Sequence, residues 1–137
     1  MQPCPCGLPA TYPECCGRYH SGAAAPTAEA LMRSRFSAFA VGDTAYLRES
    51  WDPATRPRRV DVDPATRWTR LEVLDLTGGG LLEPTGTVRF RAHHDRGVVA
   101  EDSRFRRVCG RWVYVGPVGP GGPLRTAGRG PNHRATS

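Results

Sequence analysis

Apolar residues recur first at helical spacing and then at strand spacing, which predicts helices followed by an antiparallel sheet. From Thr27 to Gly42, the residues Ala28, Leu31, Met32, Phe36 and Phe39 fall on one helical face. Thr27 is a good N-cap, Glu29 sits in the first turn and Gly42 stands just past the end. Arg35 lies near the middle of the apolar stripe, while Arg33 points to the opposite side. An Arg on a buried face needs a partner there, or must run its aliphatic stem out to solvent. Asp43 caps a second, shorter helix through roughly Trp51, stopped by Asp52-Pro53.

The period then changes. Thr55 to Arg67 reads as an irregular basic loop, and Trp68 to Thr77 as a strand ending at Gly78-Gly79-Gly80. In Thr87 to His93, Val88, Phe90 and Ala92 alternate with Thr87, Arg89 and Arg91. In Val98 to Arg107, Glu101, Ser103 and Phe105 alternate with Asp102, Arg104 and Arg106. A turn at Arg96-Gly97 pairs Phe90 with Ser103 and Ala92 with Glu101 in this reading, and gathers Arg89, Arg91, Asp102 and Arg104 on the other face. A last strand follows at Arg111 to Val115, with Trp112 and Tyr114 on one side. Two helices ahead of an antiparallel sheet make an α+β domain over 27–118. Residues 119–137 are rich in Gly, Pro and Arg with almost nothing apolar, and read as a disordered tail.

Composition adds little to the fold and something to the chemistry. The 137 residues carry a formal charge of +6, and every basic residue except the four His is Arg. The Arg residues are spread along the chain, so a basic solvated surface outranks a phosphate-binding one. The start, Met1-Gln2-Pro3-Cys4, has neither a basic n-region nor an apolar run, and no stretch reaches the length of a membrane span. The expectation is a cytoplasmic protein without membrane contact, whose thiols stay reduced.

That expectation gives the first twenty residues their meaning. Four of the five cysteines stand there, as Cys4, Cys6, Cys15 and Cys16. Clustered cysteines in a reducing compartment read as metal ligands or redox groups. A structural zinc takes four ligands in a tetrahedron, often all thiolate, and two close pairs with a loop between them supply that number. Vicinal disulfides, an iron–sulfur site and free thiols are the competing readings. Pro3, Pro5, Pro9 and Pro13 stiffen the wrap. A segment this short has no core of its own, so metal should order it. His20 is either a substitute ligand or a nearby polar residue that supports the ligands. Cys109 sits alone in a turn, Val108-Cys109-Gly110-Arg111, as a bystander thiol.

Cys4-Pro5-Cys6-Gly7, then Tyr12, then Glu14-Cys15-Cys16-Gly17-Arg18-Tyr19-His20 resembles the SEC-C motif, the zinc-binding tail of the SecA translocation ATPase. The continuation Pro26-Thr27-Ala28-Glu29-Ala30-Leu31-Met32-Arg33-Ser34-Arg35-Phe36-Ser37-Ala38-Phe39 resembles the YchJ family more closely still. So do Trp51-Asp52-Pro53-Ala54-Thr55-Arg56-Pro57 and Glu101-Asp102-Ser103-Arg104-Phe105. The resemblance implies a SEC-C-type zinc motif over 1–22, followed by a nuclear-transport-factor-2-like cone, in which helices pack on a curved sheet. It also implies a candidate homodimer through the outer sheet face, and it implies no reaction. Where the motif usually has Gly-Ser-Gly-Lys, this chain has Gly7-Leu8-Pro9-Ala10, so small and basic residues that could touch a partner are replaced.

A second site is readable inside the cone. The strand register puts Glu101 on the face that the first helix covers, and Arg35 is on that helix, so the two are expected to meet as a buried ion pair. Arg35, Trp51, His94 and Glu101 are the candidate pocket residues, with Asp75 on the neighbouring strand. No phosphate loop, nucleophile elbow or second metal cluster accompanies them. The functional expectation is a zinc-binding, non-enzymatic adaptor with a protein partner and no assigned catalytic residue. The alternatives are a small-molecule or enzymatic pocket around Arg35 and Glu101, and nucleic-acid binding through the outward Arg face. That face lacks the stacking aromatics that would favour the last.

Overall fold

The computed structural model describes residues 3–118. The tail expected at 119–137 lies outside the described residues. The chain opens with a 3-10 turn at Tyr12–Glu14 and the short helix α1 (Cys16–His20), followed by α2 (Ala28–Val41) and α3 (Thr44–Glu49). Four strands follow: β1 (Trp68–Gly78), β2 (Thr85–His94), β3 (Gly97–Val108) and β4 (Arg111–Pro117). They form one antiparallel meander in chain order.

Helix α2 begins and ends where its caps dictate. The Thr27 hydroxyl accepts from the Ala30 N–H at 3.0 Å. Gly42 closes the helix in the left-handed region, with φ 78°, a conformation that costs other residues a Cβ clash. Asp43 then caps α3 through the Tyr46 N–H. The concave face of the sheet receives α2. Leu31, Met32 and Phe36 meet Leu71, Val88, Phe90, Ala92, Val99 and Phe105 in one continuous core.

Two register details differ from the sequence reading. The β2–β3 turn is Asp95-Arg96, with His94 opposite Gly97. Phe90 therefore faces Glu101, and Ala92 faces Val99. The slip is two residues, one full pleat, so every side chain keeps its expected face. In β1 a bulge intervenes between Val73, opposite Phe90, and Asp75, opposite Arg89. The extra residue puts Asp75 on the outer, exposed face and removes it from the interior.

The far edge of the sheet is covered by the chain itself. The Tyr114 N–H donates to Ser50 O and the Asp52 N–H donates to Tyr114 O, both at 2.8 Å. Trp51 thus bridges β4 in parallel and shields an otherwise open edge. Asp52, 2% exposed, takes a two-pronged hydrogen bond from Arg106, at 2.5 and 2.9 Å, which locks this segment to β3.

Candidate metal centre

The N-terminal segment folds around its sulfurs. The Cys4 N–H donates to Ala10 O at 3.0 Å and the Gly7 N–H to Cys4 O at 3.1 Å, making a tight loop that carries Cys4 and Cys6 inward. The 3-10 turn and α1 then deliver Cys15 and Cys16 to the same point. Gly17 permits this: a Cβ there would lie 2.7 Å from Tyr12 O. All four cysteines are buried, with exposures of 0–5%.

The four Sγ atoms lie within 4.8 Å of one another, and Cys6 and Cys15 are 3.7 Å apart. A regular tetrahedron with metal–sulfur bonds of about 2.3 Å puts its sulfurs about 3.8 Å apart. None of the four is joined in a disulfide. The thiols disturb one another strongly. A hydrogen bond from Cys16 holds Cys6 down to about 5, while burial pushes Cys15 up to about 11. Cys16 is pushed higher still, because it donates to Cys6. Four anionic sulfurs cannot share this volume without a cation between them, and a multivalent cation would let all four ionise. The donor set, spacing and burial fit a four-coordinate thiophilic metal.

Around the sulfurs stands a polar support. The Ser37 hydroxyl, on α2, lies 3.5 Å from the Cys4 Sγ. Arg33 donates to Cys6 O at 3.0 Å, and Arg18 donates to Cys15 O at 3.1 Å. His20 is not a ligand, because both its ring nitrogens are engaged elsewhere. Its Nε2 lies 2.8 Å from Ser34 O, which can only accept, so this nitrogen carries the proton. Its Nδ1 then accepts from the Tyr12 hydroxyl at 2.6 Å. The ring also packs on Tyr46, with centroids 4.6 Å apart. His20 is therefore a peg between the N-terminal segment and α2.

The interior of the cone gathers some of the expected pocket residues and separates others. Arg35 is 5% exposed; it donates through Nη1 to Leu47 O at 2.8 Å and to Ser50 Oγ at 2.7 Å. Its guanidinium lies over the rings of Trp51 and Tyr114, at 5.1 and 4.5 Å. Burial pushes it down to about 10, opposed by Tyr114, Tyr46 and Glu101, so it stays charged at neutral pH. Glu101 accepts from Ser103 Oγ at 2.6 Å and from the Tyr114 hydroxyl at 2.8 Å. Tyr114 thus links the two expected partners: its ring carries the cation and its hydroxyl holds the carboxylate. Burial pushes its phenol well up, which keeps the hydroxyl a donor. His94 does not line this chamber; it packs on Trp68, with centroids 4.9 Å apart. The space left between Arg35, Glu101, Ser103 and Tyr114 is about 20 Å3, room for a single water.

The sequence reading missed the roles of Tyr114, Ser34, Ser37 and Arg33. One signal was available: Ala30, Arg33, Ser34 and Ser37 form a small and polar stripe on α2, suited to a close-packed neighbour other than the sheet.

Residues 27–117 match the family model described as the YchJ middle NTF2-like domain. The chain belongs to the YchJ family. A UPF0225 protein of Streptomyces coelicolor is 58% identical over 114 residues, covering 82% of this chain and 92% of the relative. One from Corynebacterium efficiens is 56% identical over 115 residues, covering 81% and 88%. Two solved structures share the fold of this YchJ-family chain. A SEC-C motif containing protein from Rhodopseudomonas palustris matches with TM-score 0.67 and 32% identity, over 82% of this chain and 94% of that one. Another, from Psychrobacter arcticus, matches with TM-score 0.69 and 28% identity, over 88% and 84%. No helix among the described residues is long and apolar enough to cross a membrane.

Proposed function

We propose that Cys4, Cys6, Cys15 and Cys16 hold one structural zinc ion, and that the protein is a non-enzymatic adaptor that presents the zinc-ordered segment to a protein partner in the cytoplasm. The observation that carries the zinc is the mutual approach of four buried sulfurs within 4.8 Å, which uses every position of a tetrahedral site. A site closed in this way leaves no position for a substrate, which supports a structural ion over a catalytic one. Zinc would supply the cross-link that a segment without an apolar core lacks. Ser37, Arg33 and Arg18 would offset the negative charge of a tetrathiolate site.

The adaptor reading is supported by the cone. Its interior charged residues Arg35 and Glu101 are engaged by Leu47, Ser50, Ser103, Trp51 and Tyr114, around a space of about 20 Å3. That is too small for a substrate, so a pocket around Arg35 and Glu101 is the weaker reading. Protein purified from its native cytosol without added metal should carry about one zinc per chain. A Cys15→Ser, Cys16→Ser variant should lose both the zinc and any partner that the intact protein retains. Equal retention by the two proteins would contradict the adaptor role, and a different metal would contradict zinc.

A further inference from the structure

A second cavity lies apart from both the sulfur cluster and the cone interior. It has a volume of about 230 Å3 and opens where the end of α1 and its linker, the helix α3 and the β3–β4 hairpin converge. Tyr19, Tyr46 and Trp112 supply its aromatic wall, and Arg56, Arg111 and Glu49 supply its charge. The N-terminal segment provides one side and the cone the other, so neither part contains the cavity alone.

Its walls are fixed. The Trp112 indole N–H donates to Pro26 O at 3.2 Å, which holds the linker against the sheet. The Arg107 guanidinium lies over the Trp112 ring, 4.6 Å from its centroid. Arg111 reaches across to Gly22 O at 3.0 Å with one nitrogen, Nη2. Arg56 is held by Trp51 O, through Nε and Nη2 at 3.2 and 3.0 Å. In both residues Nη1 is not used in these bonds, and a guanidinium carries five N–H groups. Two cations against one carboxylate leave the lining with one net positive charge beside an apolar, aromatic wall.

We propose that this cavity binds a small organic monoanion: a carboxylate bonded by Arg56 and Arg111, joined to an apolar or aromatic body about the size of one amino-acid side chain. Glu49 in the lining selects against a second negative charge on the ligand. The same chemistry is offered by a free carboxylic acid and by the C-terminus of a peptide ending in an apolar residue. It does not depend on which metal the cysteines take.

The test uses the intact, 15N-labelled protein, titrated with phenylacetate, with its neutral counterpart phenylacetamide, and with N-acetyl-Gly-Phe. The Trp112 indole N–H and the Gly22 and Ala23 amides report on the site. Phenylacetate should shift these signals saturably, and phenylacetamide should bind roughly tenfold more weakly or worse, because it forfeits charge-assisted hydrogen bonds. Arg111→Gln should remove that preference and shift the Gly22 and Ala23 amides, while leaving the amides of β1 and β2 in place. Tighter binding by N-acetyl-Gly-Phe than by phenylacetate assigns the ligand to a peptide C-terminus, and the reverse assigns it to a free acid. Equal binding of phenylacetate and phenylacetamide would overturn the proposal. So would shifts confined to the outer sheet face, or no saturable shift with any of the three. Zinc content measured on the same sample keeps a failure here separate from a failure of the metal assignment.

Discussion

Arg106 and Asp52 show how one side-chain pair closes a gap that secondary structure leaves. Asp52 is buried and caps the Ala54 N–H at 2.9 Å, while both its oxygens take the Arg106 fork. That fork holds the carboxyl below the usual carboxylate range. Asp52→Asn should cost about 1–2 kcal/mol at neutral pH, discounted because Arg106 is half exposed. A depressed folded value means that the contribution is complete above the ordinary Asp value of about 3.9 and drains away as pH falls through the folded value. Urea unfolding of the two proteins should therefore show a gap at about pH 7 that closes toward about pH 2. A gap that persists in acid would assign the effect to packing instead. The sequence did not announce this pair, because 54 residues separate the partners and neither interrupts a periodic pattern.

At the scale of elements, the seating of α2 on the sheet depends on a charged group inside an apolar core. Arg35 and Glu101 were legible as inward residues from period alone, since Arg35 falls in the helical stripe and Glu101 alternates with Ser103 and Phe105. What bridges them was not legible. Tyr114 pairs with inward-facing Phe105, and periodicity places it on one side with Trp112, but it does not say that the Tyr114 hydroxyl reaches across to Glu101 while its ring lies against Arg35. His94 and Asp75 were misplaced for similar reasons, one at the end of its strand and the other beyond a bulge. If the chamber is one coupled unit, Arg35→Met should cost roughly 3 kcal/mol, because it removes the cation facing a buried carboxylate. Arg35→Met with Glu101→Gln should cost less than the sum of the two single changes by roughly 1–3 kcal/mol. Additive losses in denaturant unfolding would show that the two residues act independently.

Across the whole molecule, two bodies with separate interiors meet through a polar joint. Among the described residues, the apolar neighbours packed on the cysteine cluster are Ala10 and Tyr12, while the main core runs from Tyr19 to Trp112. His20, Arg33, Ser34 and Ser37 connect them, through Tyr12, Cys6 and Cys4. The chain-order signal for two bodies was plain, because the proline- and cysteine-rich start has no apolar period and the following ninety or so residues do. The linker at Ser21 to Pro26 is too short to let the first body roam, so the sequence also implies that the two pack together. His20→Ala should loosen the joint while sparing the sheet, at a cost of roughly 2 kcal/mol. Hydrogen exchange should then speed up across residues 3–20 and stay unchanged in β2 and β3; uniform acceleration would show that the joint also supports the cone.

X-ray absorption at the metal bound to the purified protein tests the central claim most directly. The account predicts a zinc edge and a first shell of about four sulfurs at about 2.3 Å, with no nitrogen or oxygen neighbour. Fewer sulfurs with a nitrogen neighbour, an iron edge, or no bound metal beside four intact cysteines would contradict it.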